Sequence, residues 1–333
     1  MKNIIKRFKP YPLLCNYYIT TRCNARCVFC DIYKKKGIDA PLKDIAANLR
    51  DLKKIGVSFI DFTGGEPLIH PQIKNILETA KNLGFITTVT TNCILYPNLA
   101  QEIKGLVDLL HFSLDAPIKQ EHDKLRGVKC YNKVIESINI AKSIREKPDI
   151  LFTITEDNIK YLNKMIRFAQ KNQCMLLCNP VFSYFNNPGL KKETLNKILS
   201  FSSEPYVYVN RGIIRFMKQG GNSIQNPRCR AVSTTIVISP DNYLLLPCYH
   251  KCSKKIPINN NLRSLMNSKT LNYFRKREGR FSFCKGCSIS CYFDPSFTYG
   301  ADDYFLLSQL SKIKYGIDKY IRTSSKSAKI KNI

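Results

Sequence analysis

Hydrophobic and polar positions in the first 200 residues follow two alternating periods. Short runs of β-branched and aromatic residues predict strands, while the segments between them repeat apolar residues at helical spacing, as Leu42, Ile45 and Leu49 do. The predicted strands are 14–21, 57–63, 85–91, 109–114, 150–155 and 175–182. The predicted helices are 42–54, 69–83, 99–106, 133–144, 159–171 and 191–199. Six such strand–helix repeats predict the α/β class with a parallel sheet, either an open doubly wound sheet or a partial barrel.

The pattern changes past about residue 204. Two short β-like runs, 206–209 and 234–238, lie among Gly, Pro, Asn and Ser, and six cysteines fall between positions 229 and 291. The apolar periodicity is too weak for this part to fold unaided. We therefore expect a loop-rich appendage that a bound metal stabilises.

The end of the chain returns to helical spacing. Its apolar stripe consists of Leu306, Leu310, Ile313, Ile317 and Ile321. The cations around that stripe are Lys312, Lys314, Lys319 and Arg322. This pattern predicts a basic amphipathic helix within 302–322, which packs on its own protein or a subunit, or makes peripheral contact with a membrane.

Composition narrows the class of protein. The chain has 333 residues, 44% of them hydrophobic, so it can bury a sizeable core, which excludes wholesale disorder. No apolar run approaches the ~18 residues that a membrane-spanning helix needs. The basic amino terminus lacks the apolar stretch of a signal peptide. We therefore expect a cytoplasmic protein whose fourteen cysteines are metal ligands or reduced thiols rather than a disulfide framework.

The formal net charge is +28, from 53 Lys and Arg against 25 Asp and Glu, and it is unevenly distributed. Residues 51–150 hold 13 basic and 12 acidic side chains, whereas residues 151–333 hold 29 and 10. Such a bias indicates an anionic partner (nucleic acid, a phosphorylated ligand or a membrane surface) or simply many solvated lysines. Nucleic acid is the less favoured partner, because no tight Lys/Arg cluster is interleaved with aromatic residues.

Three cysteines, Cys23, Cys27 and Cys30, follow the first predicted strand. Three thiolates from one loop can hold an iron–sulfur cluster or a metal ion. A [4Fe–4S] cluster held by three cysteines keeps one iron open for chemistry. Zinc is the alternative, but a closed zinc site needs a fourth ligand, and no His lies within thirty residues.

Polar side chains and glycines also stand at the ends of the other predicted strands. They are Gly64, Gly65, Glu66, Pro67, Thr91, Asn92, Ser113, Asp115, Arg126, Thr153, Asn158 and Asn179. The carboxyl ends of parallel strands form the face on which α/β barrels build active sites. Glycine allows backbone to approach a ligand closely, Glu66 can accept bonds from an ammonium group, and Arg126 can bind a carboxylate. Ser113 and Asp115 suit a ribose or an amine.

These motifs resemble the radical S-adenosylmethionine superfamily over about residues 10–200. The resemblance rests on the Cys-x3-Cys-x2-Cys spacing, on Phe29 before the last cysteine and on the strand-end motifs. It implies a partial (β/α)6 TIM-like barrel over 10–203, with a [4Fe–4S] cluster on Cys23, Cys27 and Cys30. S-adenosylmethionine would bind the open iron and the strand-end residues. An electron donor such as flavodoxin or ferredoxin would reduce the cluster, which would cleave the sulfonium to a 5′-deoxyadenosyl radical that abstracts hydrogen from a substrate.

The later cysteines resemble the SPASM and Twitch auxiliary-cluster extensions of the same superfamily. The resemblance implies a second [4Fe–4S] cluster in a small domain over 204–300, with a hairpin between the first two cysteines and a helix and tail over 301–333. The candidate ligands are Cys229, Cys248, Cys252, Cys284, Cys287 and Cys291. Four suffice, and the favoured set is Cys229, Cys248, Cys284 and one of Cys287 and Cys291. A zinc ribbon is the alternative, because His250 lies beside Cys252.

The layout implies modification of a peptide or protein by hydrogen abstraction, with a lipid or a cofactor precursor as the alternative substrate. A nonenzymatic zinc protein that binds nucleic acid is the hypothesis from another class. The sequence assigns no catalytic acid or base.

Overall fold

A computed structural model describes residues 11–182 and 187–322, and the strands in that part of the chain form one sheet. The strands are β1 (Leu14–Thr20), β2 (Phe59–Gly64), β3 (Ile86–Thr91), β4 (Leu109–Ser113), β5 (Asp149–Ile154), β6 (Leu176–Pro180), β7 (Val207–Tyr208), β8 (Thr235–Ile238), β9 (Tyr243–Leu246) and β10 (Lys254–Pro257). Their spatial order is β10-β9-β8-β1-β2-β3-β4-β5-β6-β7, and the strands from β8 through β1 to β7 run parallel.

Helices connect the parallel strands. They are α1 (Leu42–Ile55), α2 (Ile73–Asn82), α3 (Tyr96–Leu99), α4 (Lys119–Arg126), α5 (Tyr131–Ser143), α6 (Leu162–Asn172), α7 (Lys192–Ser200), α8 (Arg211–Lys218), α9 (Ala231–Thr234), α10 (Leu262–Leu265), α11 (Lys269–Lys276), α12 (Ser290–Phe297) and α13 (Asp303–Gly316). Their apolar stripes pack on the sheet in one continuous core, to which α1 contributes Ile45, Leu49 and Leu52. The predicted α/β partial barrel is confirmed, and the six predicted strands coincide with β1 to β6.

The predicted helix at 99–106 is wrong. Helix α3 begins earlier, where Pro97 occupies its first turn, and ends at Leu99, after which the chain continues in turns. Gly105 has a φ of +73°, a left-handed conformation that a right-handed helix cannot include. The apolar residues of this segment, such as Ile103 and Val107, are therefore buried from turns rather than from a helix.

The carboxyl-terminal part of the chain joins the same sheet. Strand β8 pairs in parallel with β1 on the side opposite β2, and β9 returns antiparallel to β8 as the predicted hairpin. Strand β7, which corresponds to the predicted run at 206–209, extends the other edge beside β6. Helices α8, α11 and α12 have no counterpart in the sequence prediction. The division into domains at 203 and 300 stays a prediction.

Helix α13 packs along the β7 edge through small and polar side chains. Asp302 caps its amino terminus by accepting bonds from the N–H groups of Tyr304 and Phe305. Ser308 is buried against Gly212 of α8, where a β-carbon would overlap the Ser308 side chain. The close approach of the two helices therefore depends on small residues.

The turn Ile317–Arg322 continues α13 and anchors it on the sheet by a buried ion pair. The Nζ atom of Lys319 lies 2.8 Å from Oδ2 of Asp149, the first residue of β5, and the two side chains are 4% and 1% exposed. Tyr315 donates a second bond to the same oxygen. Removal of one partner from such a buried pair leaves an uncompensated charge.

We expect Lys319→Met to lower the free energy of unfolding by about 3 kcal/mol, because it leaves the Asp149 carboxylate buried without its cation. The measurement is a urea titration followed by circular dichroism. Lys133→Met is the matched control, since Lys133 pairs with Glu136 at 2.9 Å with both side chains more than two-fifths exposed. Exposed pairs contribute ~0.5 kcal/mol, so a similar loss in both variants would contradict the assigned role of the buried pair.

Candidate functional site

The loop that carries Cys23, Cys27 and Cys30 begins where β1 ends, and all three thiols are partly buried. Backbone hydrogen bonds hold this cysteine loop on the end of α4. The N–H of Arg26 donates to the carbonyl oxygen of Arg126 at 2.9 Å, and the N–H of Val28 donates to that of Leu125 at 3.0 Å. The position of the cysteines is therefore fixed by main-chain contacts with a helix about 100 residues away in sequence.

Three glycines make room for the cysteine loop. Gly64 and Gly65 follow β2, and a β-carbon on either one would overlap a carbonyl oxygen of the loop, that of Thr20 or Arg22. Gly127 ends α4 with a φ of +63°, and its β-carbon would overlap the carbonyl oxygen of Arg26. From the sequence we expected these glycines to allow the close approach of a ligand. In the structure the group that approaches Gly64 and Gly65 is the chain's own backbone.

Glu66 connects the ends of two strands from a fully buried position. Its Oε2 accepts the N–H of Asn92 at 2.7 Å, and its Oε1 accepts the N–H of Leu68 at 3.1 Å. Burial raises the pKa of Glu66 to about 7, and these hydrogen bonds act against the rise. The side chain of Asn92 in turn donates to Asn24 of the cysteine loop at 2.7 Å. The β2 and β3 ends thus support the loop through polar contacts.

Arg126 and Asp115 form a buried ion pair beneath the cysteines. Their Nη2 and Oδ2 atoms lie 2.6 Å apart, and Oδ1 of Asp115 accepts the N–H of Thr153 at 2.9 Å. Burial raises the pKa of Asp115, and the charge of Arg126 opposes the rise. Asn158 braces the pair by donating to the carbonyl oxygens of Asp115 and Thr153.

The guanidinium of Arg126 also faces the first cysteine set. Its Nη1 lies 3.7 Å from Sγ of Cys27, and its plane lies over the ring of Phe29 at 5.5 Å. Its Nε is buried and has no hydrogen-bond partner among the described residues. A positive charge and an unused donor are thus held at the edge of the cysteine loop.

The other predicted residues lie at the same edge of the sheet. Pro67 begins a short turn after β2, Thr91 and Ser113 are buried at the ends of β3 and β4, and Asn179 lies in β6. Oδ1 of Asn179 accepts the hydroxyl of Ser290, 3.4 Å away on α12. The structure thus brings the predicted strand-end residues to one edge of the sheet, as the parallel topology requires.

The donor set suits a [4Fe–4S] cluster. Sγ of Cys23 accepts the N–H of Ala25, and Sγ of Cys27 faces Arg126, so positive groups point at the sulfurs. Burial raises the pKa of Cys23 to about 11 and that of Cys30 above its usual value. Within residues 11–182 and 187–322, no three His, Cys, Asp or Glu side chains converge on a single ion. In a cubane cluster each cysteine ligates a different iron, so three cysteines leave the fourth iron open.

Four of the later cysteines line a second site, a cavity between the β8–β9 hairpin and α12. They are Cys229, Cys248, Cys284 and Cys287. Cys291 is half-buried near Cys248 and Cys287 and lines a different cavity, beside β6. Sγ of Cys252 points instead to the carbonyl oxygen of Lys254. The four cysteines around the cavity match the four ligands of a fully coordinated cluster.

Asn222 joins the segments that carry three of these four cysteines, Cys229, Cys284 and Cys287. Its side-chain amide donates to the carbonyl oxygens of Gly279 and Cys284, and its Oδ1 accepts the N–H of Cys229. Its backbone N–H donates to the carbonyl oxygen of Cys287. Asn222 was not predicted from the sequence, because an isolated Asn beside Gly-Gly indicates only a turn.

A layer of tyrosines, Tyr18, Tyr249 and Tyr292, separates the two cysteine sites. The rings of Tyr18 and Tyr249 stack at 3.8 Å, and the hydroxyl of Tyr292 accepts the N–H of Tyr249 at 2.9 Å. The surrounding apolar cluster contacts Cys30 of the first set and Cys248 of the second. Lys35 donates to the Tyr249 hydroxyl at 2.8 Å. Sequence reasoning missed this tyrosine layer, because its members are 231 and 43 positions apart.

Residues 17–169 match the model of the family described as the Radical SAM superfamily. Among curated proteins, the chain is 26% identical over 272 residues to a probable GTP 3′,8-cyclase of Sulfurisphaera tokodaii, covering 74% of this chain and 83% of that protein. A probable GTP 3′,8-cyclase of Saccharolobus solfataricus is 31% identical over 158 residues. The chain spans about half, 51%, of that relative.

Two solved structures share the fold over most of the chain. anSMEcpe with bound AdoMet has a TM-score of 0.63 and 16% identity, and the match covers 95% of this chain and all of the other. Streptococcus suis SuiB bound to precursor peptide SuiA has a TM-score of 0.66 and 20% identity, covering 84% and 70%. Within the described residues, none of the helices is both long and apolar enough to cross a membrane.

We expect Gly127→Ala to remove the iron of the first site, because its β-carbon displaces the cysteine loop at Arg26. Iron per chain after anaerobic reconstitution falls from about 8 to about 4 if both sites load. Gly105→Ala is the matched control, since Gly105 also has a positive φ but open space around its β-carbon position. Backbone strain alone would lower the iron content of both variants equally, and that result would contradict the steric role of Gly127.

Proposed function

Because the chain belongs to the radical SAM superfamily of enzymes through residues 17–169, we propose that it modifies a peptide or protein by hydrogen abstraction. Membership in an enzyme family sets aside the alternative of a nonenzymatic zinc protein. The observation that carries the peptide proposal is the tyrosine layer between the two cysteine sites.

In this proposal Cys23, Cys27 and Cys30 hold the catalytic [4Fe–4S] cluster. Cys229, Cys248, Cys284 and Cys287 hold an auxiliary one. When bound, the catalytic cluster supplies one electron to S-adenosylmethionine and so starts radical chemistry. The auxiliary set leaves no iron open, because four cysteines complete its coordination. The substrate is therefore bound by side chains rather than by the auxiliary cluster.

The residues beneath the cysteine loop would bind and orient S-adenosylmethionine. The free Nε donor of Arg126 would bind the carboxylate of the methionine part, while the Asp115 ion pair keeps the guanidinium in position. Glu66 uses both of its oxygens on backbone N–H groups, so it acts by fixing the Gly64–Gly65 segment. Burial of Glu66, Asp115 and Asn158 excludes water from beneath the reacting groups.

The tyrosine layer suits a peptide better than a nucleoside triphosphate such as GTP. Tyr18 and Tyr292 are buried, and the half-buried ring of Tyr249 offers apolar contact area with a hydroxyl group at its edge, which fits peptide side chains and backbone. A triphosphate needs several converging cations. Near the first site Arg126 pairs with Asp115 and Arg22 pairs with Asp39, so among the described residues of the cysteine loop Arg26 is the exposed cation outside an ion pair.

A GTP 3′,8-cyclase activity is the second candidate. It rests on the 26% identity to the Sulfurisphaera tokodaii protein, which extends over 74% of this chain. GTP would then be the substrate. A lipid or another cofactor precursor is a further alternative that the tyrosine layer alone does not distinguish.

The substrate class is tested by formation of 5′-deoxyadenosine. The reconstituted enzyme receives dithionite and S-adenosylmethionine, alone, with GTP, or with a cell lysate before and after protease digestion. We expect the untreated lysate to raise product formation about tenfold, because a bound substrate directs binding energy into the reaction, and protease to abolish the increase. Cys27→Ala is the inactive control. Stimulation by GTP would overturn the peptide proposal, as would a stimulation that resists protease.

The auxiliary ligand set is tested by its cysteines one at a time. We expect Cys284→Ala to lose about 4 irons per chain, since its thiol lines the second cavity, and Cys252→Ala to lose none. Iron and acid-labile sulfide are measured after anaerobic reconstitution. Equal losses in the two variants would contradict the proposed set. Cys291→Ala distinguishes a nearby thiol from a ligand in the same assay.

A further inference from the structure

The apolar stripe of α13 and its continuation faces outward. The exposed fractions of its five aliphatic side chains are 56% for Leu306, 46% for Leu310, 59% for Ile313, 45% for Ile317 and 64% for Ile321. Residues spaced by four, three, four and four positions lie along one side of a helix. They form a continuous apolar surface, which we call the outer stripe.

The opposite face of the helix is small and polar, and that is the face that packs on the protein. Ser308 and Ser311 are buried against α8, and Ser311 accepts the N–H of Arg211. Lys314 donates to the carbonyl oxygens of Glu204 and Val207 beside the β7 edge. Polar contacts thus hold the helix on the protein. An ordinary surface helix buries its apolar face, whereas this helix buries its polar face and exposes its apolar face. Large exposed apolar patches of this kind mark interaction surfaces.

We propose that the outer stripe docks on the surface of an anionic lipid bilayer. The chain carries a net charge of +28, which attracts an anionic surface and opposes association with a second, equally charged copy. The carboxyl-terminal 33 residues, 301–333, hold seven Lys and Arg, of which Lys312, Lys314, Lys319 and Arg322 lie in ion pairs with aspartates. Three of those lysines lie in the last eleven residues, which contain no acidic side chain. Apolar contact and charge together supply the two signals that lasting membrane attachment requires.

The contact is peripheral. Helix α13 has 14 residues, a length of about 21 Å at 1.5 Å per residue, and a bilayer core of ~30 Å is longer than that. A helix that lies in the plane of the interface buries one face only. The outer stripe presents one such face, and the other face stays on the protein.

The test is sedimentation of the reconstituted full chain with vesicles. One set of vesicles contains phosphatidylcholine alone, and the other contains phosphatidylcholine and phosphatidylglycerol in about equal amounts. We expect the anionic vesicles to bind at least about tenfold more protein at ~100 mM salt, and the excess to disappear at ~500 mM salt. The double variant Leu310→Ser, Ile313→Ser should lose about tenfold in binding, because it removes apolar contact.

Tyr273→Ser is the matched control, since Tyr273 is 48% exposed on helix α11, and it should bind like the wild type. Light scattering after gel filtration gives the oligomeric state of each variant. A wild-type dimer that Leu310→Ser, Ile313→Ser converts to monomers, without vesicle binding, would assign the outer stripe to a second copy and overturn the proposal. A monomer that binds neither vesicle would overturn it as well. Because vesicle binding needs no turnover, this outcome is independent of the peptide proposal.

Discussion

The backbone contact between the cysteine loop and the end of α4 is the constraint on which the site depends. Main-chain bonds from Arg26 and Val28 to α4, and the absence of a side chain at Gly127, set the distance between the loop and the helix. The same closeness brings Arg126 against Cys27 and leaves it beside Asp115. Metal ligands are thereby fixed by packing before any metal is bound, and the chemistry of the loop follows from its contact with the sheet edge.

A second consequence concerns how the two halves of the chain cooperate. Strand β8 pairs with β1, so the hairpin that leads to Cys248 extends from the same sheet that ends at Cys23. Tyr18 at the end of β1 then stacks on Tyr249 just past the hairpin. The spacing between the cysteine sites is therefore determined by strand pairing, because residues in register on adjacent strands lie ~5 Å apart. A flexible connection between the sites could not maintain that arrangement.

The sequence predicted most of the elements and most of the first site, because both follow from local patterns. Parallel strands have strong apolar runs, and the three cysteines and the polar residues at the strand ends meet once the strands are known to run parallel. The partners that support the site, such as Asn24 and Asn222, could not be found, because an isolated Asn carries no periodicity. Helix α8 was missed for a related reason: Gly212, unfavourable in a helix, is required there by contact with α13. The glycines after β2 were identified, but the group that approaches them was not.

The terminal helix illustrates why amphipathicity alone does not say which face is buried. Its apolar stripe and its cations were both visible in the sequence, and the usual expectation is that the stripe packs inward. The structure places Lys314 and Lys319 inward instead, because β7 presents unpaired edge carbonyls and β5 begins with the buried Asp149. The anchor at Asp149 is at the amino end of β5, whereas the cysteine loop follows the carboxyl end of β1. The outer stripe begins at this anchor with Ile321 and Ile317 and runs toward the second cysteine site, because Asp302 at the other end of α13 pairs with Arg228 beside Cys229.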